Sequence, residues 1–79
     1  MSHEELLDRI TVNPKMMVGQ PCIRGMRITV QFILETLAAG TTEQELLAEF
    51  AVLEPEDIRA VFLYAAEVLD ECPVYTVAS

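Results

Sequence analysis

The side chains in this sequence that are best suited to contact a ligand are two arginines. Arg24 and Arg27 flank the dipeptide Gly25-Met26. A tight turn at that dipeptide would bring two guanidinium groups together on an exposed loop, where they are suited to bind phosphate or carboxylate. The alternative is that each arginine pairs with an acidic residue of the helices that follow. Both interpretations remain open at this level.

The sequence does not predict an enzyme, a cofactor or a metal site. Its one histidine stands at position 3, in a terminus expected to fray. Side-chain catalysis needs a nucleophile, a base or a metal set held close together. The acidic residues at 43–49 and 54–57 have the spacing of helix caps and solvated faces rather than of a calcium loop. Gly19 and Gly25 are not part of a phosphate-binding loop motif, so backbone geometry explains them better.

Charge is distributed unevenly along the chain. Residues 1–30 carry four basic and three acidic groups, whereas residues 31–79 carry one basic and ten acidic groups, for a net charge of -8. Such a field repels phosphate from the C-terminal part and attracts basic surfaces to it. Any nucleic-acid contact is therefore expected in the N-terminal part.

The length of 79 residues fits a single domain, 1–79. We expect an N-terminal segment at 1–8, an extended and turn-rich segment at 9–30, three helices within 30–71 and a C-terminal arm at 72–79. The runs 22–24 and 27–30 are β-capable and predict a short hairpin that turns at 25–26. The fold class is therefore mainly α, with a short N-terminal β-hairpin or ribbon.

Capping chemistry predicts where the three helices begin. Thr29 caps the first, which ends at Gly40, and Thr42 with Glu45 forms a capping box for the second. Pro55 takes the first helical position of the third, with Glu54 as a weaker cap. The core stripe of the third helix is expected at Ile58, Val61, Phe62, Ala65 and Leu69. Three helices with short connections are the arrangement of a helix-turn-helix domain, although a plain three-helix bundle has the same pattern.

The outward face of the last helix is a candidate partner interface rather than a DNA reader. One arginine among several acids makes insertion into the major groove electrostatically poor. Leu63 and Tyr64 are candidates for an exposed apolar anchor beside Glu67 and Asp70, and packing against the C-terminal arm is the alternative. With 52% apolar residues the chain is also expected to form a homo-oligomer, most simply a dimer.

The chain is expected in the cytoplasm. Its first residues lack the apolar core of a secretory signal, and no apolar run reaches the length of a membrane span. Cys22 and Cys72 are expected to stay reduced as small hydrophobic residues.

The run from Gly19 to Val30, followed by a helix that ends at Gly40, resembles the family catalogued as domain of unknown function 433. The resemblance covers about residues 9–70 and rests on eight matching positions: Gly19, Pro21, Ile23, Gly25, Arg27, Ile28, Gly40 and Leu53. Two positions depart from the pattern, since Met26 replaces a usual threonine and Ala51 replaces a common proline. The first departure removes a hydroxyl from the turn.

The resemblance implies a homeodomain-like helix-turn-helix fold and a role as an antitoxin of the VapB type. Such a protein would neutralise a toxin resembling a PIN-type nuclease and would repress its own operon. The alternative is a dimeric transcriptional regulator that contacts DNA through Arg24 and Arg27. Together with the charge asymmetry, the resemblance favours a protein-binding module.

Overall fold

The computed structural model describes residues 1–70. The end of the predicted helical range at 71, Cys72 and the predicted arm at 72–79 lie outside the described residues. The elements are α1 (His3–Leu7), β1 (Ile10–Val12), a 3-10 turn (Met17–Gly19), β2 (Pro21–Ile23), α2 (Val30–Ala38), α3 (Glu43–Glu49) and α4 (Pro55–Asp70). Residues 1–70 thus form a mainly helical domain with four α-helices and one two-stranded antiparallel sheet.

The first helix, α1, was not among the three predicted. Ser2 and Glu5 form a capping box at its start, and Leu6 is buried on the side that packs against α4. His3 is its first residue and is exposed. A five-residue helix is unstable alone, because nucleation is costly. Its packing against α4 stabilises it.

The β-ribbon pairs different segments from those predicted. Strand β1 pairs with β2 in antiparallel register, with Ile10 opposite Ile23. The expected turn at 25–26 does form, and the Met26 N–H donates to the Ile23 carbonyl at 2.7 Å. The run 27–30, however, contributes only one bridge, between Cys22 and Thr29, because the chain enters α2 at once. The predicted hairpin is therefore corrected to a ribbon of β1 and β2.

The connection between the strands contains an unusual backbone turn. Met17 and Val18 have φ values of 51° and 56°, in the left-handed region that glycine favours. A β-branched residue is rare there because its Cβ crowds the following carbonyl. The Val18 side chain is 95% exposed, so no packing contact offsets that strain.

Helices α2 and α3 begin where the capping pattern predicts. Thr29 Oγ1 accepts a hydrogen bond from the Phe32 N–H at 2.9 Å. Thr42 and Glu45 exchange both hydrogen bonds of a capping box, at 3.1 and 2.8 Å. Gly40 follows α2 with a φ of +106°, as the predicted left-handed stop requires.

The core lies where α2, α3 and α4 meet the ribbon. Its buried apolar side chains are Ile23, Val30, Ile33, Leu46, Leu53, Ile58 and Val61. The predicted stripe of α4 is partly wrong, because Phe62 and Leu69 are 48% and 68% exposed. The buried face of α4 is instead rotated toward Asp57, Ala60 and Val61. Among residues 1–70, no helix has both the length and the apolar character needed to cross a membrane.

Candidate functional site

The carboxylate of Asp57 is buried in the first turn of α4. Its side chain has no exposed surface. Its Oδ2 accepts a hydrogen bond at 2.8 Å from the N–H of Glu54, the residue before the first helical position. Asp57 is the third residue of α4, so its side chain supplies the half of a capping box that binds the N–H of the cap residue. The Glu54 side chain instead accepts a hydrogen bond from Arg9.

Two arginines from the β-ribbon bind this carboxylate. Arg24 donates from Nε to Oδ1 at 3.0 Å and from Nη2 to Oδ2 at 2.7 Å, a two-point geometry that matches guanidinium to carboxylate. Arg9 donates from Nη1 to Oδ1 at 2.9 Å and to Glu54 Oε1 at 2.7 Å. We call Arg9, Arg24, Glu54 and Asp57 the buried-carboxylate cluster.

Strand register explains why two arginines so far apart in sequence meet. Because Ile10 lies opposite Ile23, Arg9 and Arg24 lie side by side at one end of the ribbon. Their backbones also bond, since the Arg24 N–H donates to the Arg9 carbonyl at 2.7 Å. That end of the ribbon faces the start of α4. The cluster therefore joins the ribbon to the helical part of the domain.

The arginines keep Asp57 ionised despite its burial. Burial alone opposes ionisation and would raise the pKa of the carboxyl group. Hydrogen bonds from Arg24, from the Glu54 backbone and from Arg9 outweigh it, and they hold the pKa of Asp57 below its ordinary value. In the described residues no buried side-chain nitrogen or oxygen lacks a hydrogen bond. The buried polar atoms of the cluster are thus all hydrogen-bonded within the protein, as is expected of a polar network that connects two elements.

The two predicted ligand-binding arginines therefore have different surroundings. Arg24 takes the ion-pair alternative, and its Nη2 also donates to the Val52 carbonyl at 2.6 Å. Arg27 is exposed, and its side chain makes no hydrogen bond or ion pair within residues 1–70. The predicted pair of free guanidinium groups on one loop does not form. The signal that sequence reasoning missed is the alignment of Arg9 with Arg24, which depends on strand register.

An open, apolar groove of about 480 Å³ lies between the ribbon, α2 and the C-terminal half of α4. We call it the apolar groove. Its lining residues are Gln20, Pro21, Val30, Gln31, Leu34, Tyr64, Ala65, Val68 and Leu69. Its lining includes two glutamines, Gln20 directly before β2 and Gln31 of α2. A concave apolar surface of this kind is suited to receive an apolar segment of another molecule.

The predicted interface residues of α4 lie on two different sides of the helix. Tyr64 lines the apolar groove and packs against the core. Leu63, Glu67 and Asp70 line a second, smaller depression beside His3 of α1. Leu63 and Tyr64 are half-buried, so neither is a freely exposed anchor. Sequence periodicity missed the groove because Val30 and Leu34 fit equally well as core residues.

The fold and the site together define a class of protein. It is a mainly helical domain whose short β-ribbon is joined to a helix by a buried carboxylate. The family model for DUF433, described as a protein of unknown function, matches residues 10–65. The chain belongs to the DUF433 family.

Two relatives extend this comparison. A crystal structure of a DUF433 member protein from Anabaena variabilis matches with a TM-score of 0.76 and 29% identity, over 86% of this chain and 67% of that chain. The uncharacterized protein y4eO of Sinorhizobium fredii is 32% identical over 56 residues, which are 71% of this chain. The chain spans 25% of the length of that relative.

Proposed function

We propose that this protein is a non-enzymatic, antitoxin-like module that binds and neutralises a basic protein partner resembling a PIN-type nuclease. The proposal includes a homeodomain-like arrangement of α2, α3 and α4, repression of its own operon, and a cytoplasmic location. The apolar groove on a strongly acidic chain is the observation that carries the proposal. In this proposal the groove provides the contact area, and the negative net charge of the chain favours a basic partner.

The shape of the groove favours an apolar segment as its occupant. One wall is α4, with Tyr64, Ala65 and Leu69, and the opposite wall is α2. Amphipathic helices commonly bind in grooves between such elements by placing their apolar face inside.

The net charge of the helical part favours a basic partner. The helical part, residues 31–70, contains nine acidic residues and one basic residue, Arg59. Of the acidic residues, Asp57 and Glu54 are paired with arginines of the ribbon, and the remainder form no ion pair within the described residues. An excess of unpaired negative charge speeds association with a basic surface and disfavours binding of nucleic acid to the helical part.

A matched pair of variants tests the groove. Ala65→Arg places a bulky cation inside the groove, and Ala48→Arg makes the same change on the exposed face of α3. The protein is co-expressed with the product of the neighbouring reading frame, and the complex is quantified after affinity purification. We expect Ala48→Arg to retain the complex and Ala65→Arg to weaken it by about tenfold or more. Equal retention by both variants would contradict a groove-bound partner.

The predicted acidic contact at Glu67 is tested separately, because Glu67 lies outside the groove. Glu67→Lys should weaken the same complex while leaving the helical circular dichroism signal unchanged. Leu63 and Asp70, which share the second depression, stay predictions of the same interface.

A second function, DNA binding, is favoured by Arg27. This side chain is exposed and makes no ion pair within residues 1–70, so it is available to phosphate. Arg24 is committed to Asp57, which leaves one arginine where the sequence predicted two. DNA binding with a steep salt dependence that Arg27→Glu abolishes would support this function. An unchanged affinity in Arg27→Glu would refute it.

A further inference from the structure

Helix α4 carries an apolar stripe outside the core. Phe62, Ala66 and Leu69 follow one another at intervals of four and three residues, which places them on one side of the helix. All three are exposed, with Phe62 at 48% and Leu69 at 68%. This α4 stripe adjoins the apolar groove only at Leu69, and Phe62 and Ala66 lie outside it.

Opposite charges stand at the two ends of the stripe. Arg59 lies one turn before Phe62, and Asp70 ends the described helix. Both are exposed, and Arg59 makes no ion pair within residues 1–70. The two are eleven positions apart, about 16 Å along the helix axis, so they are too distant to pair within one chain. Arg59 is also the one basic residue between positions 31 and 79.

We propose that a second copy of this chain docks on the α4 stripe, with the two α4 helices antiparallel about a two-fold axis. In a two-fold interface each surface meets its own copy, so the stripe must be self-complementary. Placing Phe62 opposite Leu69 of the second copy brings Ala66 to the centre, together with Ala65 from the wall of the apolar groove. Small side chains there let the two helix axes approach closely.

The same register brings the charges together. Arg59 then lies about 3 Å along the axis from Asp70 of the second copy, which is within the reach of an arginine side chain. The pair occurs twice, once at each end of the interface. A parallel pair would instead place Arg59 beside Arg59.

Charge complementarity argues for a second copy rather than the basic partner of the proposed function. A basic surface would repel Arg59, whereas a second α4 supplies the carboxylate that Arg59 lacks. The inference goes beyond the proposed function, because it concerns the chain by itself. The two surfaces share Ala65 and Leu69, so the test uses no partner protein and changes Phe62, which lies outside the groove. Self-association that Phe62→Glu leaves intact overturns this inference alone.

Sedimentation equilibrium of the full chain over a range of concentrations tests the surface. We expect a monomer-dimer equilibrium that Phe62→Glu weakens by about tenfold or more in dissociation constant. Val52→Glu is the matched control, because Val52 is 56% exposed and lies outside α4. It should dimerise like the wild type. A chain that stays monomeric throughout, or a dimer that Phe62→Glu leaves intact, would overturn the proposal.

A charge swap tests the orientation. Arg59→Asp and Asp70→Arg should each weaken the dimer, because each places like charges together at both ends. The double variant Arg59→Asp/Asp70→Arg restores two opposite pairs and should recover at least half of the lost association free energy. Circular dichroism checks that every variant keeps its helices. Single variants that dimerise like the wild type, or a double variant without recovery, would exclude the antiparallel register.

Discussion

Replacing the buried carboxylate of Asp57 with a neutral amide should destabilise this domain strongly. Asp57→Asn keeps the size of the side chain and one oxygen that can accept from Arg24 or Arg9. It removes the charge that both guanidinium groups face, and it adds N–H groups to a site that already contains several donors. The perturbation is therefore mainly electrostatic, with little change in volume.

The expected loss of unfolding free energy follows from the burial of the cluster. Removing one partner of a buried ion pair costs about 3–5 kcal/mol. Here Arg24 is 35% exposed and regains some hydration, so we expect a loss of about 2–3 kcal/mol. The total free energy of unfolding of a domain of this size is roughly 4–12 kcal/mol. The corresponding decrease in Tm is roughly 10–20 °C.

Urea unfolding followed by far-ultraviolet circular dichroism measures this loss, because the protein has no tryptophan. Glu56→Gln is the matched control. It removes a carboxylate from the same first turn of α4, and Glu56 forms no ion pair within the described residues. The control should lose less than about 1 kcal/mol of unfolding free energy, because it removes only the interaction of one carboxylate with the helix dipole. If Asp57→Asn loses no more than Glu56→Gln, the cluster does not stabilise the fold as we reason.

Three further predictions concern stability. The pKa of Asp57 is lowered in the folded protein, so its contribution is present above the unfolded pKa of about 3.9 and is lost as the pH falls through the folded pKa. Acid titration of the unfolding free energy should show this loss, and Asp57→Asn should have a shallower acid limb. Thr42→Ala removes the hydroxyl that accepts from Glu45 and should cost about 1 kcal/mol in urea unfolding. Val18→Asn should raise stability by about 1 kcal/mol, because asparagine tolerates the φ of 56° better than valine. Val12→Asn, at an exposed strand position with ordinary φ, should give no such gain.

The helix starts were predictable because their causes are local. Thr42 and Glu45 lie three residues apart, and their reciprocal hydrogen bonds depend on no other part of the chain. The same holds for Thr29, whose hydroxyl caps α2 as its position predicts. Membership of the family was also readable from spacing, since glycine and proline positions reflect local backbone requirements.

The buried-carboxylate cluster was not predictable because its causes are distant. Arg9 and Asp57 are 48 positions apart, and they meet only because β1 pairs with β2 in one register. The same limit explains the error at Phe62, where helical periodicity indicates two adjoining apolar faces. Tertiary packing decides which face is buried, and in α4 the face that carries Asp57 is buried while Phe62 is exposed.

Site-specific photo-crosslinking in the native cell tests the central claim, a protein partner in the apolar groove, most directly. A photoreactive residue replaces Gln31, which is exposed and lines the groove, and a control replaces Gln44 on the exposed face of α3. We predict a covalent adduct with one basic protein, encoded beside this gene, from position 31 and not from position 44. No protein adduct at position 31, or equal adducts at both positions, would contradict the account.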